Sequence, residues 1–325
     1  MMKRIDYFIP TRIVFGAGRL KELATLSLPG KKALLCVTED KLMEKLGIQQ
    51  RVIELLGQNG VSVAVFDKVT PNPTRTGVMA AAALAKESGC DFVIGLGGGS
   101  SIDTAKAASI MMANPGDLWD YASAGSGGRK PVSGAFPVVA ISTTAGTGTE
   151  ADPYAVVTNE ETNEKLDFTL DEIFPAISII DPELMLTLPH KLTLFQGFDA
   201  LFHASECYVN NGNENRLTEL FAVDAIEKVA KHLPIVSEDG SNLESRSNIS
   251  YAANILCGFT QSLVCTTSHH IIAQALGGVF PTARPCCSSP TPTIRRSARC
   301  CPRNSTPSAK SWAKRPTPPS PATPS

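Results

Sequence analysis

Short apolar runs alternate with longer amphipathic stretches over residues 1–188. Runs rich in β-branched and aromatic residues predict strands at 7–9, 12–15, 33–37, 61–66, 92–96 and 138–142. Helical periodicity fills 18–27, 40–57, 74–88 and 101–113. Strands separated by helices of this length need crossover connections, which predicts a mostly parallel sheet. The runs Ala33-Leu34-Leu35-Cys36-Val37 and Phe92-Val93-Ile94-Gly95-Leu96 carry no polar side chain. Strands apolar on both faces are strands covered by helices on two sides.

From about residue 190 the period changes. Pro189 opens the region, helical patterns follow at 193–209, 216–233, 245–263 and 268–277, and Gly, Pro and Asn mark joints at 210–213 and 234–242. The predicted fold class is therefore an α/β N-terminal domain over 1–188 and an all-α C-terminal domain over 189–280, with a cleft between them. Residues 281–325 are a low-complexity mixture of Pro, Ser, Thr and Arg. Such a composition buries too little apolar area to fold by itself. No internal repeat is evident.

Composition sharpens that division. The chain has 325 residues and a formal net charge of −1. Residues 281–325 hold 11 of the 23 prolines, 4 of the 9 cysteines and 8 of the 30 basic residues, with no Asp or Glu. Residues 1–280 carry 22 basic against 31 acidic groups, a net charge of −9. An acidic body argues against nucleic acid as a partner. No stretch approaches the ~20 apolar residues that span a bilayer. No apolar segment follows the charged start, which argues against a secretory signal. Cys36, Cys90, Cys207, Cys257 and Cys265 lie in apolar or helical surroundings and read as reduced thiols of a cytoplasmic protein. The adjacent pairs Cys286-Cys287 and Cys300-Cys301 lack the C-x-x-C spacing of a zinc site.

Three features suggest a dinucleotide. The 92–96 strand runs into Gly97-Gly98-Gly99-Ser100-Ser101 and then a helix. Glycines let backbone approach a ligand, and the helix start offers free N–H groups to a pyrophosphate. The same turn could need glycine for its geometry alone. Thr143-Thr144-Ala145-Gly146-Thr147-Gly148-Thr149-Glu150 follows the 138–142 strand with hydroxyls and glycines suited to a cofactor cleft, though it also reads as an ordinary loop. Glu39 follows the 33–37 strand. An acid there accepts hydrogen bonds from a ribose 2′-OH and repels a 2′-phosphate, favouring NAD over NADP, unless it serves only to cap the next helix.

A fourth feature suggests a metal. Asp199 and His203 are four residues apart in a helical pattern, so they share one face about 6 Å apart. The pair reads either as a surface contact or as half of a divalent-cation site. His269 or His270, at the start of the last helical pattern, could complete it. Mixed nitrogen and oxygen donors fit Fe²⁺ or Zn²⁺.

The segments 97–106, 143–150, Asp181-Pro182-Glu183-Leu184, 197–203 and 270–277 occur in one order that resembles the iron-containing (group III) alcohol dehydrogenase family, over about residues 5–283. The resemblance implies an N-terminal dinucleotide-binding domain and a helical metal-binding domain. It implies NAD (NADP being compatible) with its pyrophosphate on Gly98, Gly99 and Ser100. Asn72, Thr143, Thr144, Thr147, Lys165 and Leu188 match positions lining the cofactor, and Asp103 matches one near the nicotinamide. Asp199, His203 and His270 match three of four ligands to Fe²⁺, with Zn²⁺ compatible. Asp103 and His270 are the implied catalytic residues. The implied activity is hydride transfer between a small alcohol or diol and the dinucleotide, by a homo-oligomer with no membrane or nucleic-acid partner.

The sequence departs from the family in two places. Gln274 stands where many relatives carry a second His, and an amide does not titrate. Arg284 stands where the fourth ligand, a His in a Pro-His-Gly segment, is expected. The low-complexity stretch starts at the same point, which suggests a shifted reading frame in a GC-rich gene. A cation in place of an imidazole would weaken metal binding, so impaired activity is expected. Two rival readings stay open: a metal-independent enzyme like the maleylacetate reductases, which bear adjacent histidines like His269-His270, and a non-catalytic dinucleotide-binding fragment.

Overall fold

The computed structural model describes residues 7–211 and 215–279. Among these, eight strands occur: β1 (Arg12–Phe15), β2 (Lys32–Thr38), β3 (Ser62–Val69), β4 (Phe92–Gly97), β5 (Val138–Ser142), β6 (Tyr154–Asn159), β7 (Glu164–Thr169) and β8 (Ile177–Ile180). Six form one parallel sheet in the order β1-β8-β5-β4-β2-β3. β6 and β7 pair separately as an antiparallel hairpin.

The helices α1 (Leu42–Lys45), α2 (Ile48–Gln58), α3 (Arg75–Ser88) and α4 (Gly99–Ala113) make the crossovers. Side chains alternate across the sheet with a period of two. Leu34 and Val93 pack with Val78, Ala81 and Ile110 on one face. Leu35 and Ile94 pack with Val52 and Leu56 on the other. This two-sided burial is why β2 and β4 carry no polar side chain in their interiors. α4 lies unusually close to β4. A Cβ on Gly95 would sit 2.6 Å from the Cα of Ile102, so only glycine allows that approach.

The remaining helices are α5 (His190–Asn210), α6 (Arg216–Glu238), α7 (Leu243–Ser250), α8 (Gly258–Leu263) and α9 (His269–Val279). A π-helical turn, Tyr251–Cys257, joins α7 to α8. Their core contains Ala204, Ala225, Val229 and Leu256 and runs on into Ile180 at the end of β8 and Met185 beyond it. The helical region thus packs directly on the carboxyl end of the sheet. None of the described helices is long and apolar enough to cross a membrane.

The structure departs from the sequence pattern at several points. Residues 7–9 form no strand. Within 18–27 only a 3₁₀ turn forms, Arg19–Ala24. The Asp181 carboxylate fixes its start, accepting from Gly18 N and Leu20 N at 3.0 Å each. The helix expected at 40–57 splits at Gly47, which takes φ 70. β7 (EKLDFT) is too polar and β8 (ISII) too short to stand out as apolar runs. α6 continues through Pro234 to Glu238, because Leu233 and Val236 are buried and hold its last turn in place.

Candidate active site

Five of the dinucleotide features named from sequence lie beyond the carboxyl ends of parallel strands, while Lys165 lies within antiparallel β7. Glu39 follows β2, Asn72 follows β3, Gly98 follows β4, Thr143 follows β5 and Leu188 follows β8. β2 is hydrogen-bonded to both β3 and β4, so the order in which strands are added to the sheet reverses there, and ligands of open parallel sheets bind outside such a switch point. Glu39 is exposed. Asp40 performs the local capping instead, accepting from Leu42 N at 2.9 Å and Thr38 Oγ1 at 2.7 Å.

The glycine turn and the 143–148 loop face each other. Thr143 N donates to Gly97 O at 2.9 Å. A Cβ on Gly98 would lie 3.0 Å from Thr144 Cγ2, and one on Gly99 would lie 2.8 Å from Thr147 Cγ2. Backbone and side chain therefore approach closely at both glycines, and a larger residue at Gly99 would require a shift. Lys165 Nζ donates to Asn72 Oδ1 at 2.8 Å, and Asn72 N donates to Ser100 Oγ at 3.3 Å. Three of the expected cofactor residues thus form one chain from the β6–β7 hairpin to the glycine turn. Asn72 itself holds φ 60, a left-handed backbone that Asn tolerates better than most residues.

Asp103 points into the contact between α4 and β6. Its carboxylate accepts from Thr149 Oγ1 at 2.8 Å and Val156 N at 3.2 Å. Burial, only partly offset by Lys106, pushes its pKa up to about 6. Lys106 is fully buried and donates to Thr149 Oγ1, Asp152 O, Asp152 Oδ1 and Tyr154 O. Leu188 is half-buried, and its carbonyl accepts from Arg246 Nη2 at 3.4 Å.

α5 and α9 bring Asp199, His203 and His270 together, with one donor atom from each within 4.8 Å of the others. The two imidazoles stack with ring centroids 4.2 Å apart. His203 Nδ1 faces Gly146 O at 3.1 Å. A carbonyl only accepts, so Nδ1 carries the proton and Nε2 keeps its lone pair. Burial lowers the His203 pKa to about 4, which keeps the ring neutral as a ligand must be. His270 lies between two carboxylates, with Nδ1 3.1 Å from Glu206 Oε1 and Nε2 3.4 Å from Asp199 Oδ1. Burial would lower its pKa, but the hydrogen bonds to Asp199 and Glu206 outweigh that and raise it to about 9. The carboxylates on both sides of His270 thus favour positive charge at this place. The donor set fits Fe²⁺ or Zn²⁺. Arg284 lies outside the described residues.

Several residues that organise this region were not singled out by sequence. Asn254 Nδ2 donates to Thr144 O, Gln196 Oε1 accepts from Ala145 N, and Gln261 Nε2 donates to Thr147 O. With His203, four side chains of the helical region hold consecutive backbone groups of the 143–148 loop. Glu206 was also missed. Its spacing of seven from Asp199 and three from His203 places it on the same face of α5, and that periodicity was the available signal.

The sequence model of the iron-containing alcohol dehydrogenases matches residues 10–182, and that of the C-terminal region of the same family matches residues 193–290. The chain belongs to the iron-containing alcohol dehydrogenase family. It is 37% identical to the NAD-dependent methanol dehydrogenase of Bacillus methanolicus over 285 residues, covering 87% of this chain and 73% of the relative. It is 35% identical to the 1,3-propanediol dehydrogenase of Klebsiella pneumoniae over 281 residues, covering 86% and 71% respectively. Among solved structures, an archaeal halo-thermophilic alcohol dehydrogenase from a Red Sea brine pool superposes with a TM-score of 0.82 at 33% identity, covering 87% of this chain and 71% of that one. Family membership makes the chain an oxidoreductase of the alcohol dehydrogenase class.

Proposed function

We propose that this protein transfers hydride between a small alcohol or diol and NAD, at a divalent metal held by Asp199, His203 and His270. The observation that carries the proposal is the bond from His203 to Gly146. That imidazole belongs to the metal-donor group and also holds the loop that faces the glycine turn. Metal and dinucleotide would thereby meet across a single side chain. The relatives named as NAD-dependent methanol and 1,3-propanediol dehydrogenases support the substrate class and the cofactor, as does the exposed Glu39 beyond β2.

When bound, the metal supplies Lewis acidity toward the alcohol oxygen and the nicotinamide supplies the hydride acceptor. The chain's own part is to hold both in place. Gly98, Gly99 and Ser100 receive the pyrophosphate at the start of α4, and Thr143, Thr144, Thr147, Lys165 and Leu188 flank it. Asn72 and Lys165 brace each other. Asp103 acts near the nicotinamide end through Thr149. With the ion bound in place of a proton, His203 and His270 would present neutral nitrogens, and Asp199 would supply the negative charge. Gln274 lies on α9 one turn after His270, so proton transfer there falls to water and the ribose hydroxyls.

The same reading assigns residues 1–188 to dinucleotide binding and 189–280 to metal binding, and it expects a cytoplasmic homo-oligomer with iron as the resident metal. The test is metal content together with NADH formation from small alcohols, before and after dialysis against a chelator. Loss of activity on chelation and recovery with Fe²⁺ support the proposal. Activity that survives chelation would favour the maleylacetate-reductase type. NAD binding with no turnover at any metal load would leave a dinucleotide binder.

A further inference from the structure

Glu206 is buried on α5 and makes more polar contacts than any single role would need. Its Oε1 accepts from His270 Nδ1 at 3.1 Å, from His269 Nδ1 at 2.9 Å and from His269 N at 3.0 Å. Its Oε2 accepts from Thr267 N at 3.0 Å. His269 N opens α9, so one of the orphan donors at that helix start ends on Glu206. The ring of His269 also packs on Phe202, with centroids 4.6 Å apart. One carboxylate thus fixes where α9 begins and how the His270 ring is turned.

We propose that Glu206 is a positioning residue of the metal centre, which holds His270 in the Nδ1–H form so that Nε2 alone faces Asp199 and His203. The inference rests on the metal reading above. A carboxylate is acceptor-only, so a ring nitrogen beside it carries a proton, and the opposite nitrogen is the one left for the metal. Without Glu206 the ring could turn over and present Nδ1, and α9 would lose the acceptor that fixes its first turn. His203 is held in the same manner by Gly146 O. The two stacked imidazoles are thus each held by a partner from outside the donor group.

The experiment compares wild-type protein with Glu206→Gln, using Zn²⁺ and Co²⁺ as probes. Metal affinity is read by competition with a chromophoric chelator, coordination by the visible spectrum of the Co²⁺ form, and fold by circular dichroism and melting of the metal-free protein. The expected result is a loss of roughly 10–100-fold in affinity and a changed Co²⁺ spectrum in a folded variant. A role confined to capping α9 would lower the melting temperature alike with and without metal and leave affinity and spectrum unchanged, and that result overturns the proposal. If the variant does not fold, ¹⁵N NMR of the wild-type Zn²⁺ form decides: His270 bound through Nε2 with Nδ1 protonated supports it, and binding through Nδ1 overturns it. Wild-type protein that takes up neither ion overturns the metal reading itself, and this proposal with it.

Discussion

His203 Nδ1 and Gly146 O lie 3.1 Å apart, which ties a candidate metal ligand on α5 to the backbone of the 143–148 loop. The loop in turn pairs with the glycine turn through Thr143 N and Gly97 O. Holding His203 with a metal should therefore narrow the conformations of the loop that a dinucleotide meets. Coupling between two sites is reciprocal in binding free energy. NAD is expected to bind several-fold more tightly to metal-loaded than to metal-free protein, with metal affinity rising by the same factor when NAD is present. Titration calorimetry on both forms measures this, and equal NAD affinities would contradict the coupling.

Gly99→Ala is a sharper probe of the cofactor side. The added Cβ would meet Thr147 Cγ2 at 2.8 Å, a distance that forces the turn and the loop apart. Overpacking of this kind costs about 1–3 kcal/mol. The expected outcome is NAD affinity reduced by roughly 10-fold or more with zinc or iron content unchanged. An unaltered NAD affinity would mean that the pyrophosphate does not sit at this turn.

Lys106→Met tests the buried charge cluster beneath Asp103. The ammonium is the only cation bonded to Asp152 Oδ1 among the described residues, and both partners are buried. Removing it leaves an uncompensated carboxylate, which typically costs about 3–5 kcal/mol. Burial already raises the pKa of Asp152 and of Asp103, and Lys106 lowers both, so its loss should drive them further up. Denaturant unfolding should show the loss. A variant as stable as wild type would indicate that the cluster reorganises around protonated acids.

Glu150 gives the protein a pH dependence of predictable sign. Ser142 Oγ donates to one of its oxygens, while among the described residues Oε2 finds no donor. Burial raises its pKa from 4.5 to about 7. The folded state therefore holds a proton that the unfolded chain releases, and stability falls as pH rises from about 4.5 to about 7. Glu150→Gln removes that group. Its stability relative to wild type should increase across this window, by an amount on the order of 3 kcal/mol at most, and level off above it. A relative stability that does not change with pH would show that Glu150 is ionised throughout.

The two levels of structure divided this protein unevenly. The interiors of β2 and β4 were legible because burial on two sides leaves an unbroken apolar run. The i, i+4 pair Asp199 and His203 was legible because helical spacing is local. β7 was not, since its polar side chains hide a strand that exists only by pairing with β6. Asn254 and Gln261 were not, because their partners are backbone groups more than a hundred residues away. No pattern within one segment carries such a contact.

Local order in the chain was enough to name the glycine turn, the threonine loop and the pair Asp199 and His203, because each is a short motif whose chemistry depends on neighbours a few residues apart. It left His269 and His270 as alternatives, and the family resemblance pointed to His270. Which nitrogen of His270 faces Asp199, and that Glu206 and Gly146 hold the His270 and His203 rings, depended on how α5 meets α9 and the 143–148 loop. Hydrogen bonds have direction, and direction between distant segments exists only once the chain has folded.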